Sequence, residues 1–297
     1  MTDWSALDDA GAPLAPHVGP FPNRAFLEAW WRHRGAGTPI IAGAGQSALA
    51  CVVGDGVVRM AGEGDLTDYH SPLGADPRPA VDSLLGRLPS NAAIRFDSLP
   101  GEAAEPLVKA LAAAGSKVTS AEHDATMVLD LPEHVDAYLG DLNAKQRHEI
   151  RRKSRRFGDL GGEAGLRRDE SGFRTFVEMH RAAPGDKGAF MTTEMEAFFR
   201  DLLDVPGSAL DLLIGAGRRP MAAAFGFEDE DAYYLYNSSF DPSAASASPG
   251  IVLCDTLIRS AIESGKRRFD FLKGVESYKR RFGATPRPLF AIAGSVP

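Results

Sequence analysis

Cysteine is scarce in this chain of 297 residues: there are two, Cys51 and Cys254, far apart in sequence. Each lies among apolar neighbours, Leu49-Ala50-Cys51-Val52-Val53 and Ile251-Val252-Leu253-Cys254, the setting of a small buried thiol. No Cys/His spacing of a zinc site occurs, so no metal is expected. No apolar run reaches about 18 residues, which predicts no membrane span. The start, Met1-Thr2-Asp3-Trp4-Ser5, has neither the basic nor the apolar region of a signal peptide, so the expected compartment is the cytoplasm. G-x-S-x-G is missing, which argues against a serine hydrolase, and neither a P-loop nor a G-x-G-x-x-G follows a strand.

Net charge is −7, yet its distribution is uneven. Residues 145–156 carry seven Lys/Arg and one Glu, and residues 266–281 carry seven Lys/Arg and two acids, so the remainder of the chain is strongly acidic. Two basic islands in an acidic protein point to a local anionic ligand rather than to a nucleic-acid coat, and no DNA partner is expected. With 44% hydrophobic and 25% charged residues, the chain can build one large core or two ordinary ones.

The pattern predicts a mixed α/β (α+β) chain in two parts. In the first, a helix around Phe26–Trp31 precedes strands at 39–43, 47–53 and 57–61, with a hairpin turn at Gly54-Asp55-Gly56. A polar loop at 62–76 leads to a helix at 78–87, a strand at 92–97, a helix at 102–114 and a strand near 117–120. The second part opens on a strand, Thr126–Leu131, and helices near 133–140 and 143–158. There follow a strand at 165–169, helices at 171–182 and 193–204, strands at 209–215, 220–228 and 231–239, a helix at 250–264, a strand at 268–272, a helical turn at 275–282 and a last strand at 287–294. Helices thus lead into an antiparallel meander and then a strand–loop–helix–strand unit.

Four segments can carry chemistry. Ser248-Pro249-Gly250 opens a helix: Ser suits an N-cap, Pro suits the first helical position, and free N–H groups there attract phosphate. An ordinary capped helix explains the same residues. Phe269-Asp270-Phe271-Leu272-Lys273-Gly274-Val275-Glu276-Ser277-Tyr278-Lys279 brings carboxylate, ammonium and phenol together at a strand end, suited to acid–base work or to a salt-bridged turn. On a helix over 143–158, Leu142, Ile150, Phe157 and Leu160 share one face and Arg147, Arg151 and Arg155 the other, either a solvated basic face or a contact for an anion. The loop Gly64–Leu73 holds Asp68 and His70, candidates for substrate or proton binding or for a structural role.

Taken in order, several pieces resemble the CelD-like branch of the GNAT superfamily, whose relatives include the Fem-type aminoacyl transferases. They are Gly19-Pro20-Phe21, Asp68-Tyr69, the Lys145–Arg156 block, Tyr236 through Phe240-Asp241-Pro242, Ser248-Pro249-Gly250, and Asp270-Phe271, Gly274 and Tyr278-Lys279. The resemblance implies tandem GNAT-like lobes, each a mixed, mostly antiparallel sheet flanked by helices: a degenerate lobe over 1–125 and an acyltransferase domain over 126–297. It implies acyl-CoA, in particular acetyl-CoA, as co-substrate, with direct attack of an acceptor amine or hydroxyl on the thioester. Tyr236, Asn237, Ser238, Ser248, Gly250 and Lys279 would hold the donor. Tyr278 would protonate the leaving thiolate, Asp270 or Glu276 would be the base, and Asp68 and His70, facing Asp270–Lys279, would hold a small-molecule or glycan acceptor. The usual GNAT phosphate loop is reduced here to Ala245-Ser246-Ala247-Ser248-Pro249-Gly250, which keeps two alternatives open: a Fem-type transferase using aminoacyl-tRNA, and a non-catalytic protein of polysaccharide assembly.

Overall fold

The structure is a computed structural model that describes residues 3–62, 64–162, 164–167 and 172–297. Met1 and Thr2 of the expected leaderless start, Arg168 and Asp169 of the expected strand, and Ser171 of the expected helix lie outside the described residues. The chain divides into two compact units, Met1–Thr126 together with Arg287–Pro297, and Met127–Pro286.

The first unit begins with helix α1 (Arg24–Arg34), whose Phe26, Leu27, Ala29 and Trp30 are buried. Strands β1 (Thr38–Ala44), β2 (Ser47–Gly54) and β3 (Val57–Met60) form an antiparallel meander. The β2–β3 turn has Asp55 and Gly56 both at positive φ, the twist that a two-residue hairpin requires. After a loop come α2 (Arg78–Leu85) and β4 (Ala93–Pro100), which returns parallel to β3. Helix α3 (Gly101–Ala113) and strand β5 (Lys117–Asp130) follow. The sequence pattern shows β5 as two short strands; it is one strand of 14 residues, along which the chain leaves the first unit.

The second unit contains α4 (Val135–Asp141), α5 (Ala144–Asp159), β6 (Gly165–Arg167), α6 (Gly172–Ala182), α7 (Asp186–Phe190) and α8 (Thr193–Leu202). Then β7 (Ser208–Ile214), β8 (Pro220–Glu228) and β9 (Ala232–Phe240) make a second antiparallel meander. Helix α9 (Pro249–Glu263) carries the chain to β10 (Arg268–Lys273), parallel to β9. Helix α10 (Ser277–Arg280) and strand β11 (Thr285–Ser295) close the chain. Helix α7 is absent from the sequence-based reading. Both units are therefore mixed, mostly antiparallel sheets flanked by helices.

The two units repeat one order of elements: a three-strand meander, a loop, a helix and a parallel strand, then helix and strand. A short echo falls at the matching strands, Phe96-Asp97-Ser98-Leu99 in β4 and Phe269-Asp270-Phe271-Leu272 in β10. Each echo holds a residue in the left-handed region, Ser98 at φ 57° and Leu272 at φ 58°. The last strand is lent to the first unit: β11 pairs antiparallel with β4 from Leu289↔Pro100 to Ser295↔Ala93, burying Leu289 and Ile292 completely.

In the second unit α9 lies in the core. Its Val252, Leu253, Leu257, Ile258, Ala261 and Ile262 pack with Ile150 and Phe157 of α5 and Phe269 and Phe271 of β10. The apolar face expected on α5 is real for Leu142, Ile150 and Phe157. Leu160 departs from it, 55% exposed, because α5 ends at Asp159 and the next residue no longer follows the helical face.

Candidate active site

The site grows from a fault in β9. Its register with β8 jumps between Phe225↔Asn237 and Gly226↔Leu235, so Tyr236 is an extra, bulged residue. A bulge bends the strand and re-aims the side chains that follow. On the other edge the parallel pairing with β10 runs only from Arg268↔Ala232 to Asp270↔Tyr234. Beyond Tyr234 the two strands part.

A cavity of about 300 Å³ opens where the strands part. Ser238 and Phe240 of β9, Ala245 and Ser248 of the following loop, Pro249–Ile251 and Cys254 of α9, and Tyr278 of α10 line it. Lys153 of α5 and Lys187 of α7 complete the wall. All of it lies in the second unit. The loop is a short 3₁₀ segment, Pro242–Ala247, tied by Asp241, whose Oδ1 accepts from the Ser243 amide and hydroxyl. Arg219 holds the other oxygen of Asp241.

The helix start differs from a capped one. Pro249 takes the first helical position, but Ser248 stands at φ 54°, ψ 46° and its hydroxyl makes no capping bond. Instead Lys153 Nζ donates to Ser248 Oγ at 3.4 Å. The positive end of the α9 dipole and two lysines thus face the same space, a combination suited to an anion. Lys153 also meets Glu149 at 3.5 Å. Lys187 is brought in by the tight packing of α7: a Cβ on Gly188 would lie 2.2 Å from the Ala183 carbonyl, so only glycine fits there. Much of Lys187 is exposed, but its ammonium is desolvated enough to lower its pKa. Burial raises the pKa of the Tyr278 phenol and pushes the Cys254 thiol up to about 12, so both keep their protons at neutral pH.

Of the residues expected to hold the donor, the structure brings Ser238, Ser248 and Gly250 to this cavity, together with Tyr278. Tyr236 packs against Phe199, Phe225 and Phe227 instead. Asn237 accepts from His180 of α6, Nε2 to Oδ1 at 2.7 Å. Lys279 is buried with its ammonium committed to the carbonyls of Lys273 and Gly274 and to Glu276 at 3.0 Å, so it clamps the 272–274 turn. Asp270 is fully buried and accepts the Leu272 amide at 2.8 Å, which holds Leu272 in its left-handed conformation. Glu276 is largely exposed. Neither acid lines the cavity.

In the first unit, His70 is buried and its Nδ1 lies 2.8 Å from the Asp97 carbonyl and 3.3 Å from its carboxylate. Asp68 precedes it in the same loop, half-buried. That loop occupies the place, between meander and helix, that the 241–248 loop holds in the second unit, yet the cavity beside it measures only about 10 Å³. Phe21 and Tyr69 pack there, with Tyr69 bonded to Thr126 at 2.6 Å. Sequence reasoning missed His180 and Lys187. His180 is a single histidine on the apolar face of α6, and Lys187 lies on a short helix with no periodic signal.

Among the described residues, no helix is long and apolar enough to cross a membrane, and no group of three His, Cys, Asp or Glu could hold a metal ion. No curated protein sequence matches the chain. Solved structures share its fold at low identity. The C-terminal domain (DUF2156) of a proposed lysylphosphatidylglycerol synthetase from Agrobacterium fabrum is 13% identical with a TM-score of 0.60, over 90% of this chain and 86% of that one. L-PGS from Bacillus licheniformis is 12% identical with a TM-score of 0.61, over 94% and 93%. FemX is 11% identical with a TM-score of 0.60, over 94% and 93%. Residues 144–280, which contain every residue of the 300 Å³ cavity, match the family model of the acetyltransferase (GNAT) domain.

Proposed function

We propose that the second unit is an acyltransferase that takes acyl-CoA in the cavity at the start of α9. The observation that carries the reading is the cavity itself: an anion-attracting helix start with Lys153 close to it, and the stretch of β9 beyond its pairing with β10. Phosphates of the donor would meet the Gly250 amide and Lys153. The thioester would lie along residues 235–240, whose backbone N–H groups can stabilise a developing oxyanion. Catalysis would then be mostly positioning, an acceptor amine or hydroxyl attacking the thioester carbon directly. Tyr278, whose hydroxyl has no protein partner among the described residues, would return a proton to the leaving thiolate. Acetyl is the donor group that the GNAT match favours. The acceptor is a small molecule or a glycan. The near-closed cavity beside the matching loop of the first unit supports a donor site in the second unit alone.

Calorimetry with CoA and acetyl-CoA tests this. Binding is expected, and Gly250→Asp should abolish it by placing a carboxylate at the anion position. A Cβ at this position meets only ordinary contacts at Phe240, so the fold should survive. A folded protein that ignores both ligands at millimolar concentration removes the acyl-CoA reading. A second donor, aminoacyl-tRNA, is favoured by one observation: Arg151, Arg155 and Arg156 lie exposed on the helix whose Lys153 enters the cavity.

A further inference from the structure

Acyl transfer to an amine or hydroxyl needs a group that accepts the acceptor's proton as the new bond forms. The two acids closest in sequence to Tyr278 do not serve: Asp270 is enclosed and bonded to the Leu272 amide, and Glu276 pairs with Lys279 outside the cavity. No Asp, Glu or His is among the cavity's described lining residues. Four lining groups can exchange a proton: Lys153, Lys187, Cys254 and Tyr278. Cys254 and Tyr278 stay protonated and are donors. Lys153 is committed to the Ser248 hydroxyl at 3.4 Å and to the Glu149 carboxylate at 3.5 Å. Lys187 has no ion-pair or hydrogen-bond partner for its amine among the described residues. A lysine without a counter-ion among the described residues, whose ammonium is partly desolvated in the cavity wall, is a setting in which the neutral amine becomes accessible.

We propose that Lys187 is the general base of this cavity, a role that rests on the acyl-transfer reading. Its neutral Nζ takes the proton from the acceptor N–H or O–H as that atom bonds to the acyl carbon. The carbonyl re-forms, the C–S bond breaks, and the thiolate takes the Tyr278 proton. The Lys187 ammonium and the Tyr278 phenolate then return to their starting states through solvent. Lys153 from α5, Cys254 from α9 and Tyr278 from α10 line the cavity with Lys187, and His180 from α6 has its Nδ1 3.4 Å from the Lys187 carbonyl. The carboxylate next in sequence, Asp186 of α7, is not among the lining residues, and burial lowers the His180 pKa, so it stays neutral near pH 7.

Two measurements on the full chain separate this inference from the acyl-CoA reading. In the first, trinitrobenzenesulfonate is added across pH 6–10 and each lysine's labelling is followed by mass spectrometry. Lys187 should react at least about tenfold faster at pH 7 than exposed Lys109 and Lys145, and CoA should protect it. In the second, acetyl transfer from acetyl-CoA to a panel of amines is followed against pH. Lys187→Arg keeps the charge but cannot give up its proton; kcat should fall by roughly 10²–10⁴ with CoA affinity nearly unchanged. Lys187→Ala should be partly rescued by ethylamine. Labelling of Lys187 at the rate of the surface lysines overturns the proposal, as does a Lys187→Arg enzyme with ordinary kcat and an unaltered pH profile. Loss of CoA affinity with kcat preserved in Lys187→Ala would make it an anion contact, which also overturns it. Fast labelling of Lys187 without any CoA binding would remove acyl-CoA as the donor and leave Lys187 a reactive amine.

Discussion

At the scale of single residues, the chemistry turns on which groups keep their protons. Tyr278 sits against Phe271, and burial raises its pKa, so the phenol is a donor over the whole working range. Tyr278→Phe should lower turnover by roughly 10²–10⁴ as a lost general acid while CoA affinity stays nearly constant; full activity would take Tyr278 out of the mechanism. His180 gives a pH prediction with a definite sign. Its burial lowers its pKa, so below about pH 6.5 an unfolded chain binds a proton that the folded chain refuses. Stability is therefore lost as pH falls through that window and complete above it. Thermal unfolding at pH 7.5 and pH 5 should show a smaller acid loss in His180→Gln than in the parent protein. Equal losses would mean that His180 titrates alike in both states. The His180 contact could not be read from sequence: a histidine on an apolar helix face looks like core, and only the fold brings Asn237 to it.

At the scale of elements, α5 shows how a sequence pattern divides among uses. Its amphipathic period correctly identified the buried face. Asn143 and Gln146 form a capping box, a local signal worth about 0.5–2 kcal/mol. The row of seven basic residues has four fates in the fold. Arg147 caps α4 by donating to the Leu139 and Leu142 carbonyls at 2.8 and 2.9 Å. Arg152 pairs with Glu149, and Lys153 enters the cavity. Lys145, Arg151, Arg155 and Arg156 remain on the surface. With the charge serving the ligand mainly through Lys153, bulk tRNA should bind weakly in filter assays. If four charges did contact tRNA, affinity would fall roughly a hundredfold between 50 and 200 mM salt. Such a drop, from tight binding, would shift the donor to aminoacyl-tRNA.

At the scale of the whole molecule, the strand lent by the C-terminus matters most. Leu289, Ile292 and Val296 are buried in the first unit, and each contributes roughly 1.5–3 kcal/mol of burial. Their sum is a large part of the roughly 5–15 kcal/mol by which a domain is stable. Residues 1–126 alone should therefore show no cooperative melting transition, and should gain one when 287–297 is supplied as a peptide. A sharp transition without the peptide would mean that β4 does not need β11. The sequence by itself determined most of the elements, α7 and the continuity of β5 excepted, because periodicity and turn residues act over a few positions: the meanders, the helix opened by Pro249-Gly250 and the strand holding Phe269-Asp270-Phe271-Leu272 all stand where local pattern puts them. It also marked Ser238, Ser248, Gly250 and Tyr278 before their cavity was seen. Tertiary structure alone decided the rest. The return of β11 to the first unit, the parting of β9 from β10 after Tyr234, and the gathering of Lys187 and Tyr278 in the wall of one cavity each depend on contacts between residues far apart in the chain. No local propensity records such contacts, since their energy exists only once the packed neighbour is present.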